Sequence, residues 1–209
     1  MASYRNRTVR ALSCNATTDR GVPTEEMTTI TAEDLNERLA ADPDGAFPDL
    51  VRSLQDGIYS GVLQLTRNQH DAQDITQETF VRVYRALSTY DPDRIRSLRL
   101  RPWTWTIALN LSRNRARSKG RKPEIHDEVD RPDPGGDPAS QAAERADLEE
   151  WRQRLARLSG PQRTAVVLYH VVGLPHAEIA AITGRSESTT RSDLRRGLGT
   201  LRTIIQEES

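Results

Sequence analysis

The sequence predicts an all-α protein of two small helical domains joined by a flexible acidic linker, the second ending in a helix-turn-helix. Three observations point there. Strand formers are scarce, aromatic residues being 5% of the 209, while Ala, Leu, Arg and Glu abound. Apolar positions recur at steps of three and four, the period of an amphipathic helix. Near the C-terminus a short apolar helix, a glycine turn and a basic amphipathic helix follow one another, the order needed to lay a second helix in a major groove.

Composition narrows the function classes. Lys+Arg and Asp+Glu are both 30, so there is no net charge and a uniformly basic DNA-coating protein is excluded. The charge is instead segregated. From Glu124 to Glu150 ten acids face Arg131 and Arg145, a net of minus eight. From Arg152 to Ile205 nine arginines face Glu178, Glu187 and Asp193, a net of plus six. Cys14 is the sole cysteine, which leaves no intrachain disulfide and no cysteine-rich zinc site. No run approaches the length of a membrane span and no signal-peptide core is visible. A cytoplasmic protein without membrane insertion is expected.

Residues 1–28 read as a disordered extension, with Arg5, Arg7 and Arg10 set among Ser, Thr and Asn. The same composition suits an organelle transit peptide, and Met27 would serve as a start. The first domain, 29–122, opens with a helix capped by Thr31 and carrying Leu35 and Leu39. Pro43-Asp44-Gly45 breaks it. Leu50, Leu54, Ile58, Val62 and Leu65 make the next stripe, and Asn68 to His70 a turn. A helix with an acidic start (Asp71, Asp74, Glu78) and an apolar stripe (Phe80, Val83, Tyr84, Leu87) follows; simple capping of the macrodipole also accounts for those acids. After a break at Tyr90-Asp91-Pro92-Asp93, the arginines 94, 96, 99 and 101 read as a loop, and Pro102 opens another helix. Trp103, Ile107 and Leu111 share one face of it and Trp105 lies on nearly the opposite side, so that one Trp can be core while the other is presented outward. That helix runs into Arg113, Arg115, Arg117, Lys119, Arg121 and Lys122 without an acid.

The linker, 123–140, contains Pro123, Pro132, Pro134, Pro138 and Gly135-Gly136, and reads as a solvated spacer. In the second domain, 141–209, Gly173 stops an apolar run, Pro175 suits a first turn and Gly184 a left-handed C′ position. Ser186 caps the last helix. There Thr190, Leu194, Leu198, Leu201 and Ile205 form the apolar stripe, opposite Ser188, Arg191, Ser192, Arg195 and Arg202.

The run Asp71-Ala-Gln-Asp-Ile-Thr-Gln-Glu-Thr-Phe80, with Val-Tyr-Arg-Ala-Leu87, resembles region 2 of the extracytoplasmic-function sigma factors of bacterial RNA polymerase. Trp103-Thr-Trp-Thr-Ile-Ala-Leu-Asn110 and the basic run after it are similar to that family's promoter-melting helix. Leu158-Ser-Gly-Pro-Gln-Arg163, Gly173-Leu174, Glu178-Ile-Ala180 and Gly184-Arg-Ser186 look like its region 4. The resemblance implies that Asp71, Asp74, Gln77 and Glu78 dock on the β′ clamp helices of core polymerase, with further contact to the β subunit. It implies that Arg99, Arg101, Trp103, Trp105, Asn110, Arg113, Asn114 and Arg117 engage the minus-ten element. Ser186, Ser188, Thr189, Arg191, Ser192, Arg195 and Arg196 would read the minus-thirty-five element. An anti-sigma factor is implied as a further partner, and no cofactor.

Opening DNA costs about 1.4 kcal/mol per base-pair step, and an aromatic platform returns about 1–3 kcal/mol per stacked base. One outward Trp and a few phosphate contacts cannot melt several steps alone, so polymerase is required and no catalytic residue is assigned. Against the family pattern, Thr104 stands for a Leu, Leu109 for an Arg, Pro175 for an N-cap Ser, Ser188 for a Gly and Thr190 for a Val. Asp193 stands where a base is common; it would either repel phosphate or accept from a cytosine N4 amine. Two rival functions fit the sequence less well. A helix-turn-helix regulator with a sensor domain needs a strand pattern that residues 31–119 lack. A metal-dependent hydrolase on His70, Asp71 and Asp74 would have only the scattered His126, His170 and His176 as further ligands.

Overall fold

The computed structural model describes residues 32–119 and 148–208. The expected N-terminal extension, the Thr31 cap and the 123–140 linker lie outside the described residues. The first half consists of α1 (Ala32–Ala41), α2 (Pro43–Thr66), α3 (Gln69–Leu87), α4 (Pro92–Ser97) and α5 (Leu100–Lys119). The second consists of α6 (148–156), α7 (Gly160–Val166) with a π-helical turn at Val167–Val171, α8 (His176–Thr183) and α9 (Glu187–Glu207). Among the described residues there is no strand, and the all-α expectation holds.

Short polar side chains set the helix ends. Asp42 accepts from the Gly45 amide at 3.0 Å with Pro43 behind it, so the expected break is a single-residue junction between two helices. Arg67 takes a left-handed conformation (φ 58°) to end α2, and Asn68 accepts from the Asp71 amide at 2.8 Å to start α3. Asp91 caps Arg94 at 2.9 Å, which makes the supposed arginine loop largely helical. The next helix begins at Leu100 rather than Pro102, whose missing N–H costs nothing in a first turn.

One apolar cluster (Leu35, Leu39, Leu50, Val83, Leu87, Ile95) holds α1 to α4 together. Asn36 ties α1 to α4, donating to the carbonyls of Ile95 at 2.9 Å and Leu98 at 2.8 Å. A second cluster (Leu155, Leu158, Val166, Val167, Leu194, Leu201) holds the C-terminal half. The third is shared: Ile58, Val62, Trp105 and Leu109 from the first half meet Leu168, Val172, Leu174 and Ile179 from the second. The two halves therefore meet face to face.

In α9 the buried side is Thr190, Asp193, Leu194, Gly197, Leu201 and Ile204. Leu198 and Ile205, expected in the stripe, are 40% and 39% exposed. Steps of four overshoot a 3.6-residue turn, so that stripe walks off the buried face. Gly197 permits close packing, since a Cβ there would lie 2.9 Å from Val166 Cγ2.

Candidate functional site

The acidic start of α3 is not an open acidic face. Asp71 is buried, and its Oδ1 lies 3.1 Å from Arg115 Nε of α5. Asp74 Oδ2 is 2.8 Å from the same guanidinium and 3.1 Å from His70 Nδ1. These carboxylates fasten α3 to α5, and they also occupy the groups that a metal-dependent hydrolase would need. Glu78 pairs with Arg82 at 2.7 Å one turn on, and Gln77 is exposed. Of the four residues expected on the polymerase-facing surface, Asp74, Gln77 and Glu78 remain accessible, while Asp71 is buried in its ion pair with Arg115.

Beside Gln77, α2 and α3 enclose a groove of 780 Å³ that includes Phe47, Val51, Tyr59, Phe80 and Tyr84. Tyr84 is 39% exposed and stacks edge-on to Phe47 at 5.1 Å. Its hydroxyl donates to Asp44 at 2.9 Å, and that carboxylate pushes the phenol above its ordinary range. The groove was missed because Phe80 and Tyr84 fit the α3 core stripe. The spacing Phe47–Val51 on α2, an apolar pair one turn apart, was the available signal.

On α5 the two tryptophans lie on opposite sides, and Trp105 is the core one. Trp105 does face away from Trp103, but it is 1% exposed because the second half covers it. Trp103 is half-buried beside Tyr90, with ring centroids 6.0 Å apart. In this arrangement the Trp105 ring offers no face to a base. Leu109, where the family pattern has an Arg, is buried in the shared core, and Thr104 is fully buried. Two arginines at the start of α5 also turn to the second half. Arg101 donates to the Val172 carbonyl, and Arg99 pairs with Glu178 at 2.7 Å. Asn110, Asn114 and Arg117 are exposed and Arg113 is half-buried.

The helix-turn-helix forms as the glycines require. Gly173 (φ 74°) ends the π-helical turn and Gly184 (φ 68°) ends α8. Pro175 occupies the N-cap position of α8, where the family pattern has a Ser, and its carbonyl accepts from the Glu178 amide at 3.0 Å. Ser186 caps α9 by accepting from the Thr189 amide at 3.1 Å. Ser188, Arg191, Arg195 and Arg196 are exposed, and Thr189 and Ser192 half-buried. Arg191 is braced by Glu187 one turn back. Neither reading of Asp193 is realised: it is buried, 2.5 Å from Arg185 and 3.2 Å from Arg196. Arg196 is thereby drawn toward the helix it stands on.

Comparison with known proteins places this geometry in a family. Residues 50–122 match the family described as Sigma-70 region 2, and residues 148–201 match Sigma-70, region 4. The ECF RNA polymerase sigma factor SigE of Mycolicibacterium smegmatis is 34% identical over 90% of this chain and 71% of its own length. The RNA polymerase sigma factor CarQ of Myxococcus xanthus is 31% identical over 82% of this chain and 95% of its own. Among solved structures, CnrH in complex with the cytosolic domain of CnrY shares the fold, with a TM-score of 0.65 at 24% identity over 85% of this chain and 98% of that one.

Proposed function

This chain belongs to the extracytoplasmic-function sigma factors of RNA polymerase, and we propose that it divides that family's work among the surfaces just described. It is a sigma factor that binds core polymerase and directs promoter-specific initiation. Catalysis rests with the polymerase, in the cytoplasm. The α2–α3 groove with Gln77 and Glu78 seats the β′ clamp helices; an apolar trough rimmed by polar side chains is the form that a helix-in-groove contact requires. The exposed α9 face reads the minus-thirty-five element, and α5 with its flanking arginines engages the minus-ten element. The carrying observation is the α9 face: Ser188, Arg191 and Arg195 stand exposed on a helix whose other side is locked by Leu194, Leu201 and Ile204.

The shared core adds a condition. Trp105, Arg99 and Arg101 cannot serve the minus-ten element while they hold the second half, so promoter engagement requires the halves to part. An anti-sigma factor that favours this closed arrangement is the regulatory partner; the similarly folded CnrH is itself found in complex with the cytosolic domain of CnrY. Run-off transcription with core polymerase tests the function. Start-site-specific transcripts are expected only when the chain is added, and Glu78→Lys should lower them while far-UV circular dichroism stays helical. Identical transcripts with and without the protein would refute the assignment.

A further inference from the structure

We infer that the cleft between the two halves, where Arg113 and Arg117 of α5 face Arg185 of the turn before α9, is a binding site for a small phosphate-class oxyanion that bridges the halves. The cleft has a volume of 340 Å³, and its walls come from α5 on one side and from α7, α8 and α9 on the other. Asp193 also lines it, but that carboxylate is already shared between Arg185 and Arg196. Arg113 makes no hydrogen bond or ion pair among the described residues, and neither does the Thr164 hydroxyl on the opposite wall. Partial burial, with repulsion from Arg117 and Arg185, lowers the Arg113 pKa, the mark of like charges gathered close together. Closure thus brings Arg185, whose charge Asp193 partly offsets, up to the guanidinium groups of Arg113 and Arg117, which have no carboxylate partner among the described residues, and a tetrahedral oxyanion matches their planar forks.

A duplex is a poor occupant. The cleft exists only while Trp105 and Arg101 are covered by the second half, and its walls are helices of both halves. A ligand that binds the closed form alone shifts the population toward it, so phosphate should oppose opening. The inference rests on the closed arrangement and not on promoter activity, so either can fail without the other.

The test is calorimetric titration of the full chain with sodium phosphate, with ionic strength held constant by chloride. Saturable one-to-one binding is expected, with a rise in melting temperature and a smaller radius of gyration by small-angle scattering. Arg113→Gln should weaken binding about tenfold or more. Arg117→Gln, at an exposed position, gives the same reading should Arg113→Gln lose its helical circular dichroism. Arg52→Gln, outside the cleft, should bind phosphate as the parent does. Equal stabilisation by chloride, or undiminished binding by both cleft variants, would overturn the proposal. So would a duplex oligonucleotide that displaces phosphate with the compact dimension unchanged, which would assign the cleft to a nucleic-acid backbone.

Discussion

Gly61 is the position at which closure can be perturbed by one methyl group. A Cβ there would lie 2.4 Å from Trp105 Cη2, 3.0 Å from Trp105 Cζ2 and 2.9 Å from Val172 Cγ2. Two effects compete in Gly61→Ala. Alanine in the interior of α2 gains about 1 kcal/mol of helix propensity over glycine. Overpacking costs about 1–3 kcal/mol, and the indole, 1% exposed, has nowhere to go unless Val172 retreats. The cost outweighs the gain while the halves are closed, for a net loss of about 1 kcal/mol. In the open form Trp105 is free to turn aside and the helical gain survives. The variant should melt about 2–4 °C lower, show a larger radius of gyration, and shift Trp fluorescence to the red as Trp105 meets water. Thermal circular dichroism and scattering measured on the same sample read both effects. A higher melting temperature with unchanged compactness would mean that Trp105 is not clamped between Gly61 and Val172, and the closed core would be refuted.

Other consequences are equally concrete. Arg191→Ala should cost about 1–3 kcal/mol at one minus-thirty-five position, whereas Arg195→Ala should weaken all sequences alike and reduce the salt slope by about one ion; holoenzyme binding to a promoter library at two salt concentrations separates them, and a uniform Arg191 effect would remove its base-reading role. Asp193→Asn should destabilise the C-terminal half by about 1–3 kcal/mol, because Arg185 and Arg196 lose a buried charged acceptor; chemical denaturation unchanged from the parent would contradict that. Burial lowers the His170 pKa below 6.5, so the unfolded chain binds the proton more readily. This part of the stability is intact above about pH 6.5, falls as the pH drops through it and levels off below the folded value. His170→Gln should flatten that part of the melting profile, and an unaltered slope would place the proton elsewhere.

Much of this molecule is written locally in the chain. The residues that start and stop helices (Asn68, Asp91, Gly173, Gly184, Ser186) act through their own backbone neighbours, so composition and spacing suffice to read them. The exposed arginines of α9 were legible for the same reason, since a helix presents a face by period alone. The all-α class and the helix-turn-helix followed from those signals. Periodicity reports that a face is apolar, however, and is silent about what covers it. Trp105 lies opposite Trp103 on its helix and is buried in the protein, because the apolar cluster it joins draws Leu168, Val172 and Ile179 from the other half of the chain. Asp71 and Asp193 look like surface acids one by one, yet each is buried with an arginine from another turn or helix. Those placements depend on contacts between segments far apart in the chain, set by how two hydrophobic surfaces fit, and a pattern running along one helix holds no information about its partner.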